Sequence, residues 1–373
     1  MQKTNTYKSR RNFISILSAA GAAIALRPFN SWGFREVDDK VKKIVAQTIG
    51  IDTHNHMDVP FNKEEFKGQT YDLANELRIS GLTAIGMTFC VDRPKLEKQG
   101  EAYQRFLTSL DEMDEMLASN RLSRALTLPD IEKARKDNKQ IVIQSVEGGH
   151  FTEGKIERIK VAYDRGLRHF GLMHDGQSDP PIGDIYTDTP QYGGLTDLGI
   201  NIIKECNRLG ILIDLAHCNN EAINKALKIS NKPMLISHTG LNTRLGNNER
   251  MAKMMMPRLI SPEQAKIFAS AGGVIGVWTH LADTPSEYAK NVRALIDIVG
   301  AEHVCIGTDT KMAIAKNSND RFGHKTNQSW DGIKDGFYYT VVDAFLKDGF
   351  TENEIKLVGG GNYCRIFGQA TSI

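Results

Sequence analysis

Two histidines separated by one residue, His54-Asn55-His56, follow an apolar run containing Val45, Ile49 and Ile51. On a strand, side chains alternate, so His54 and His56 point to one side and can share one divalent metal without distorting the backbone. Imidazole nitrogen suits zinc and its neighbours. The pattern recurs along the chain, where further strand-like apolar runs end in Glu147, His174, His217, His238 and Asp309. Any one such residue is more often an ordinary hydrogen-bonding group, but six of eight strand candidates ending this way point to a metal site. Four histidines and a carboxylate exceed the three protein ligands of a single open catalytic zinc. Two divalent ions, with Zn2+ expected, fit better: His54 and His56 on one, His217 and His238 on the other, Glu147 bridging. Water between two such ions would be a strong nucleophile near neutral pH. Asp309 would then accept its proton and pass it to a leaving group.

These residues need a scaffold that gathers strand ends at one mouth. The strand candidates are Val45–His56, Thr83–Cys90, Gln140–Glu147, Arg168–His174, Ile211–His217, Pro233–His238, Val274–Trp278 and His303–Asp309. Between them lie stretches with apolar spacing near three to four, among them 101–119, 155–165, 198–209, 220–229, 261–270, 286–298 and 333–346. Eight strands alternating with helices predict an α/β fold of the (β/α)8 TIM-barrel type, of the metal-dependent hydrolase kind. An open doubly wound sheet is the alternative, but no Gly-x-Gly-x-x-Gly follows the first strand. No compositional break divides the body, so residues 34–373 read as one domain. Two longer loops, Asp175–Asp197 and Thr239–Leu259, would lie on the C-terminal face, and the second carries Arg244 and Arg250 shortly before Arg258.

The chain of 373 residues is close to neutral, with a formal net charge of +2 and no long basic run, which argues against nucleic acid as a partner. Its five cysteines are scattered without a Cys-x-x-Cys spacing, as buried free thiols rather than a disulfide framework would be. Residues 1–33 read as a twin-arginine export signal: Arg10-Arg11 precede an apolar, Ala-rich stretch over 14–26, and Ala23-Ile24-Ala25 offers a cleavage site. That stretch is short for a membrane span, and no later segment is long and apolar enough for one. The expected location is the periplasm, or the membrane surface if the signal stays uncleaved.

Several motifs together resemble the membrane (renal) dipeptidases, zinc metallopeptidases of the amidohydrolase superfamily. The strongest stretch is Gly193-Gly194-Leu195-Thr196-Asp197-Leu198-Gly199, continuing through Asn207-Arg208-Leu209-Gly210 to Asp214-Leu215-Ala216-His217. Val146-Glu147-Gly148-Gly149, Gly171-Leu172-Met173-His174, Ile236-Ser237-His238, Ile306-Gly307-Thr308-Asp309 and Gly360-Gly361-Asn362-Tyr363 match as well. The resemblance implies that Glu147 bridges two zinc ions, that His217 and His238 bind the second, and that Asp309 serves in proton transfer. It implies that His174 contacts the substrate and steadies the tetrahedral intermediate. It also implies an arginine for the substrate's carboxylate, with Arg258 the first choice and Arg250 the second. A homodimer is common in the family, though no surface in the sequence marks one.

The sequence departs from the family at two places. His56 stands where the family has Asp, which makes the site one unit more positive and should acidify bound water and alter metal preference. Asp58 lies too far along to replace it. After Asp309 the chain reads Thr310-Lys311-Met312 instead of an aromatic residue, Asp and Gly. The expected function is a binuclear zinc dipeptidase acting on small dipeptides. The alternative is a related amidohydrolase taking N-acyl amino acids or lactones with the same metals. A non-catalytic binding barrel is a third reading, disfavoured because it would have no need of Asp309 as proton shuttle.

Overall fold

The computed structural model describes residues 37–57, 70–314, 325–333 and 335–372. The proposed export signal over 1–33 and Asp58 lie outside them. The barrel unit spans Asp39–Ile373. Its strands are β1 (Ile51–His56), β2 (Ala84–Cys90), β3 (Ile141–Glu147), β4 (Leu167–Gly171), β5 (Leu212–Asp214), β6 (Leu235–Thr239), β7 (Val274–Val277) and β8 (Val304–Ile306). All pair in parallel in chain order, and Asp52 of β1 pairs with Ile306 of β8 to close the sheet. This is the (β/α)8 barrel the spacing predicts.

The helices carry the local signals expected of them. Asn219 caps the helix Asn220–Ile229 by accepting from the Ala222 N–H at 2.8 Å, and Thr196, Ser261 and Thr284 do the same for theirs. Pro262 and Pro285 occupy first-turn positions where the missing N–H costs nothing. The helix Asp197–Leu209 buries Ile202, Ile203, Cys206 and Leu209 and stops at Gly210, whose φ of 76° is the left-handed cap.

The first strand candidate is corrected at its start. Val45 belongs to the helix Asp39–Gln47, where Val41, Ile44 and Val45 form one buried face, and the strand begins only at Ile51. Apolar residues spaced three and four apart outweigh the β-branched preference there. Three other strands end earlier than expected. His174, His217 and Asp309 each lie three residues past the last residue of β4, β5 and β8.

The two ends of the barrel differ. At the N-terminal end, the helix Asn362–Thr371 covers the opening and packs Tyr363, Ile366, Phe367 and Ala370 against Ile51, Leu212, Leu235 and Val274. Asn362 is buried and donates to the carbonyls of Ala301 and Val304 at 2.7 and 2.8 Å, which fixes that helix. The opposite, C-terminal end is polar. Just below it, Gly276 and Gly307 admit the Ser237 carbonyl, since a Cβ would fall 1.8 and 1.7 Å from its oxygen. That close approach brings the β6 carbonyl across the barrel interior to β1, where Thr53 Oγ1 donates to it at 2.9 Å.

Cys206, Cys218, Cys305 and Cys364 are buried free thiols and Cys90 is half-buried and free. Among the described residues no helix is long and apolar enough to cross a membrane.

Candidate metal centre

The polar end holds six side chains around one carboxylate. Glu147, at the end of β3 and 2% exposed, is the hub. Its Oε1 lies 2.7 Å from His217 Nε2, 3.5 Å from His54 Nε2 and 3.7 Å from His238 Nε2. Its Oε2 lies 3.3 Å from His174 Nε2 and 3.7 Å from His56 Nε2. Asp309 Oδ1 is 2.9 Å from His56 Nε2 and 3.8 Å from His54 Nε2. The Nε2 atoms of His54 and His56 are 3.3 Å apart, and those of His217 and His238 are 3.1 Å apart. His54, His56, Glu147, His174, His217, His238 and Asp309 are therefore brought together.

Different backbone devices deliver them. His54 and His56 alternate on β1, whose backbone is pinned to β8's loop through the Thr310 carbonyl, which accepts from the His56 N–H at 2.8 Å. His217 and Asp309 instead take left-handed backbone, with φ of 67° and 56°. Non-glycine residues rarely adopt it, and such strain is retained where the surroundings fix it, often at functional sites.

Each inward imidazole is held from behind. His174 Nδ1 donates to Asp92 (2.7 and 2.8 Å), and His217 Nδ1 lies 3.0 Å from Asp175 Oδ1 and 2.7 Å from the Tyr186 hydroxyl. Ser237 Oγ sits between His238 Nδ1 (2.9 Å) and His54 Nδ1 (3.2 Å). His280 Nε2 binds Asp309 Oδ2 at 2.7 Å. Such partners, which leave Nε2 facing the ligand position, are typical around metal-bound histidines.

The charges of the site are tightly coupled around Glu147. Burial pushes the His54 and His238 pKa values down. Burial would raise the Glu147 carboxyl, but the charges of His174, His54 and His217 hold it well below the usual carboxylate range. Asp309 is likewise held down, against burial, by His238 and by hydrogen bonds from His280 and His56. His217 is driven up to about 10: burial opposes this, and Glu147 and Asp175 outweigh it. Glu147 Oε2 is buried with no hydrogen-bond partner. An acceptor in that position, ringed by imidazole nitrogens, is what a divalent cation would satisfy. The donor sets His54–His56–Asp309, His54–Glu147–His238 and Glu147–His174–His217 each fall within 4.8 Å. The residues fit a divalent metal.

The arginines separate. Arg258, in the turn Met256–Arg258, reaches the site and donates from Nη2 to Asp175 Oδ2 at 2.9 Å, its guanidinium 5.6 Å from the Tyr186 ring centre. Arg250 is exposed on the helix Glu249–Met255, with no hydrogen bond or ion pair to the described site residues. Burial works against the Arg258 charge, but Tyr186 and Asp175 raise its pKa.

Sequence reasoning missed Asp92, Asp175, Tyr186, Ser237 and His280. Asp92 follows β2 and His280 follows β7, the two strands that had supplied nothing. His280 lies three residues past the end of its strand, the same offset as His174, His217 and Asp309, a regularity visible only once the strand ends are known.

The two departures from the family pattern are joined. Asn55 Oδ1 accepts from the Met312 N–H at 2.6 Å, and Asn55 Nδ2 donates to Asp52 and to Thr326 Oγ1, both at 2.8 Å. The residue between the two histidines thus anchors the altered segment after Asp309.

The model of the family described as membrane dipeptidase (peptidase family M19) matches residues 38–373. An uncharacterized protein in the pqqA 5' region of Klebsiella pneumoniae is 26% identical over 206 residues, covering 52% of this chain and 73% of that protein. Dipeptidase verJ of Clonostachys rogersoniana is 24% identical over 319 residues, covering 80% of this chain and 75% of that protein. Among solved structures, an amidohydrolase from Pseudomonas aeruginosa superposes with a TM-score of 0.71 at 22% identity, covering 88% of this chain and 98% of that one. That likeness is one of fold.

Proposed function

The chain belongs to the membrane dipeptidase family, peptidase family M19, as a metallo-dipeptidase, and we propose that it hydrolyses small dipeptides with two divalent metal ions, Zn2+ foremost. The observation that carries this is Glu147, a buried carboxylate whose two oxygens face different histidines. His54 and His56 would hold one ion, with Asp309 beside it for proton transfer. His217 and His238 would hold the other, and Glu147 would bridge. When bound, the pair supplies positive charge that acidifies water and polarises the scissile carbonyl.

The protein's own groups then divide the work. Asp309, fixed by His280, takes a proton from water as its oxygen attacks the carbonyl carbon. It returns that proton to the departing amine as the C–N bond breaks. His174, oriented by Asp92, faces the same centre with Nε2 and steadies the charge growing on the carbonyl oxygen. Arg258 has further N–H groups beyond the one on Asp175 and can hold the substrate's carboxylate.

His56 in place of Asp keeps a second reading alive, a related amidohydrolase taking N-acyl amino acids or lactones. One experiment separates them: metal analysis of purified protein alongside hydrolysis of L-L and L-D dipeptides. Two ions per chain with dipeptide cleavage are expected. Two ions with cleavage of N-acyl amino acids or lactones alone would favour the second reading, and a metal-free protein after zinc reconstitution would overturn the centre. The twin-arginine leader adds a proposal of export to the periplasm, checked by fractionating cells that express the full chain. Recovery from the cytoplasm alone would refute it.

A further inference from the structure

The end of the barrel opposite the metal centre carries a second cleft, of about 1650 Å³ with its open mouth included. It lies at the rim where β1, β2 and β3 begin, among the helices Asp39–Gln47, Leu73–Ser80 and Leu128–Lys136. Arg78 comes from the second of these helices, Arg135 and Lys136 from the third, and Lys139 from the turn into β3. Among the described residues that line the cleft there is no aspartate and no glutamate. The whole chain has 47 Lys and Arg against 45 Asp and Glu, so four cations around one cleft without an anion is a local imbalance.

Nothing nearby neutralises it. Arg135 Nη2 donates to the Val45 carbonyl at 3.3 Å, and Arg78 Nη2 donates to Asn75 Oδ1 at 2.7 Å. Both acceptors are uncharged, so the guanidiniums are oriented while their charge stays uncompensated. Among the described residues, none of the four cations is in an ion pair. Asp137, next to Lys136 in sequence, pairs instead with Lys133 at 2.5 Å. Lys133, with the charges of Lys139 and Lys136 behind it, holds the Asp137 carboxyl below its ordinary range, as a field of positive charge should. The last turn of a helix favours cations, which accounts for Arg78, Arg135 and Lys136 one by one. It does not account for Lys139, or for all four sharing one cleft.

Like charges gathered in this way repel, and an anion among them relieves the repulsion. A single carboxylate would offset only one of the four. Phosphate groups offer several acceptor oxygens each and match both the planar fork of arginine and the point charge of lysine. We propose that this cleft is a non-catalytic site for clustered phosphate groups, carried by a small phosphorylated anion or by the head groups of anionic lipid. In the lipid case the cleft would set the N-terminal end of the barrel against the bilayer and turn the metal centre towards water.

The test uses the zinc-loaded full chain in low salt. It is titrated with fructose 1,6-bisphosphate by calorimetry and sedimented with vesicles of phosphatidylcholine, with and without phosphatidylglycerol. Lys136→Gln/Lys139→Gln removes two exposed cations and Arg78→Gln/Arg135→Gln the other two, while Lys204→Gln/Lys228→Gln, at exposed positions on other helices, is the control. At least one phosphate probe should bind, with affinity falling roughly tenfold or more in each cleft variant, as loss of charge-assisted hydrogen bonds implies. The control should bind like the wild type, and zinc content should be equal in all. Binding of the bisphosphate identifies a free anion, and binding only to vesicles with phosphatidylglycerol identifies lipid. If the arginine variant fails to fold, the lysine variant decides alone. Binding of neither probe, affinity unchanged by the lysine variant, an equal loss in the control, or equal retention on both kinds of vesicle without bisphosphate binding would overturn the proposal.

Discussion

The two halves of the metal centre reach similar donor sets by different routes. In the first, His54 and His56 stand two residues apart on β1, beside a register shift against β2 between Asp52 and Asn55, and the backbone of the sheet aims them. In the second, His217 lies beyond β5 in left-handed backbone, and its ring is aimed by Asp175 and Tyr186. Asp175 also binds Arg258, so the second half is coupled to the proposed substrate anchor. Strand position places His54 and His56, with Ser237 and His280 behind His54 and Asp309, whereas His217 lies past its strand and is held by Asp175 and Tyr186.

The largest expected effect falls where the halves share chemistry. Asp309→Asn should keep fold and metal content while lowering kcat about 10²–10⁴-fold, the usual worth of a positioned acid–base group. Full turnover in that variant would remove Asp309 from proton transfer. The next effect should be one-sided. Asp175→Asn should weaken one of two metals about 10–100-fold, as loss of an outer partner commonly does, and raise KM by loosening Arg258. Chelator competition reads the metals one by one, and equal weakening of both would mean the halves are not separately supported.

A smaller change sharpens the comparison from the other side. His56→Asp adds an anion to the first half, so water bound there should become less acidic and the acidic limb of the pH–rate profile should move to higher pH. A limb that stays in place would show that His56 does not set that charge. The smallest effect lies far from both halves. Arg293 holds the half-buried Glu354 carboxyl down to about 2, against an ordinary value of 4.5. A depressed carboxylate stabilises the fold above its ordinary pKa and loses that contribution as pH falls from about 4.5 towards 2. After solvent screening, Glu354→Gln should cost only about 0.5 kcal/mol near neutral pH and nothing near pH 2. Denaturant titrations at both pH values check this, with turnover unchanged throughout.

What the sequence determined about this protein is the barrel and most of its inward donors. Short apolar runs ending in His54, His56, Glu147 and His238 carry both facts at once, because strand period and strand-end chemistry are local. It could not determine where β4, β5 and β8 stop, since left-handed turns at His217 and Asp309 are imposed by neighbours and not by residue type. Nor could it choose between Arg250 and Arg258, which lie on one loop and differ only in which of them faces Asp175. Asp92, Ser237 and His280 remained hidden for the same reason. Their partners are 82 residues away for Asp92, 183 for Ser237 towards His54, and 29 for His280. Only closure of the sheet brings such groups within hydrogen-bonding distance, and that proximity is a property of the folded chain.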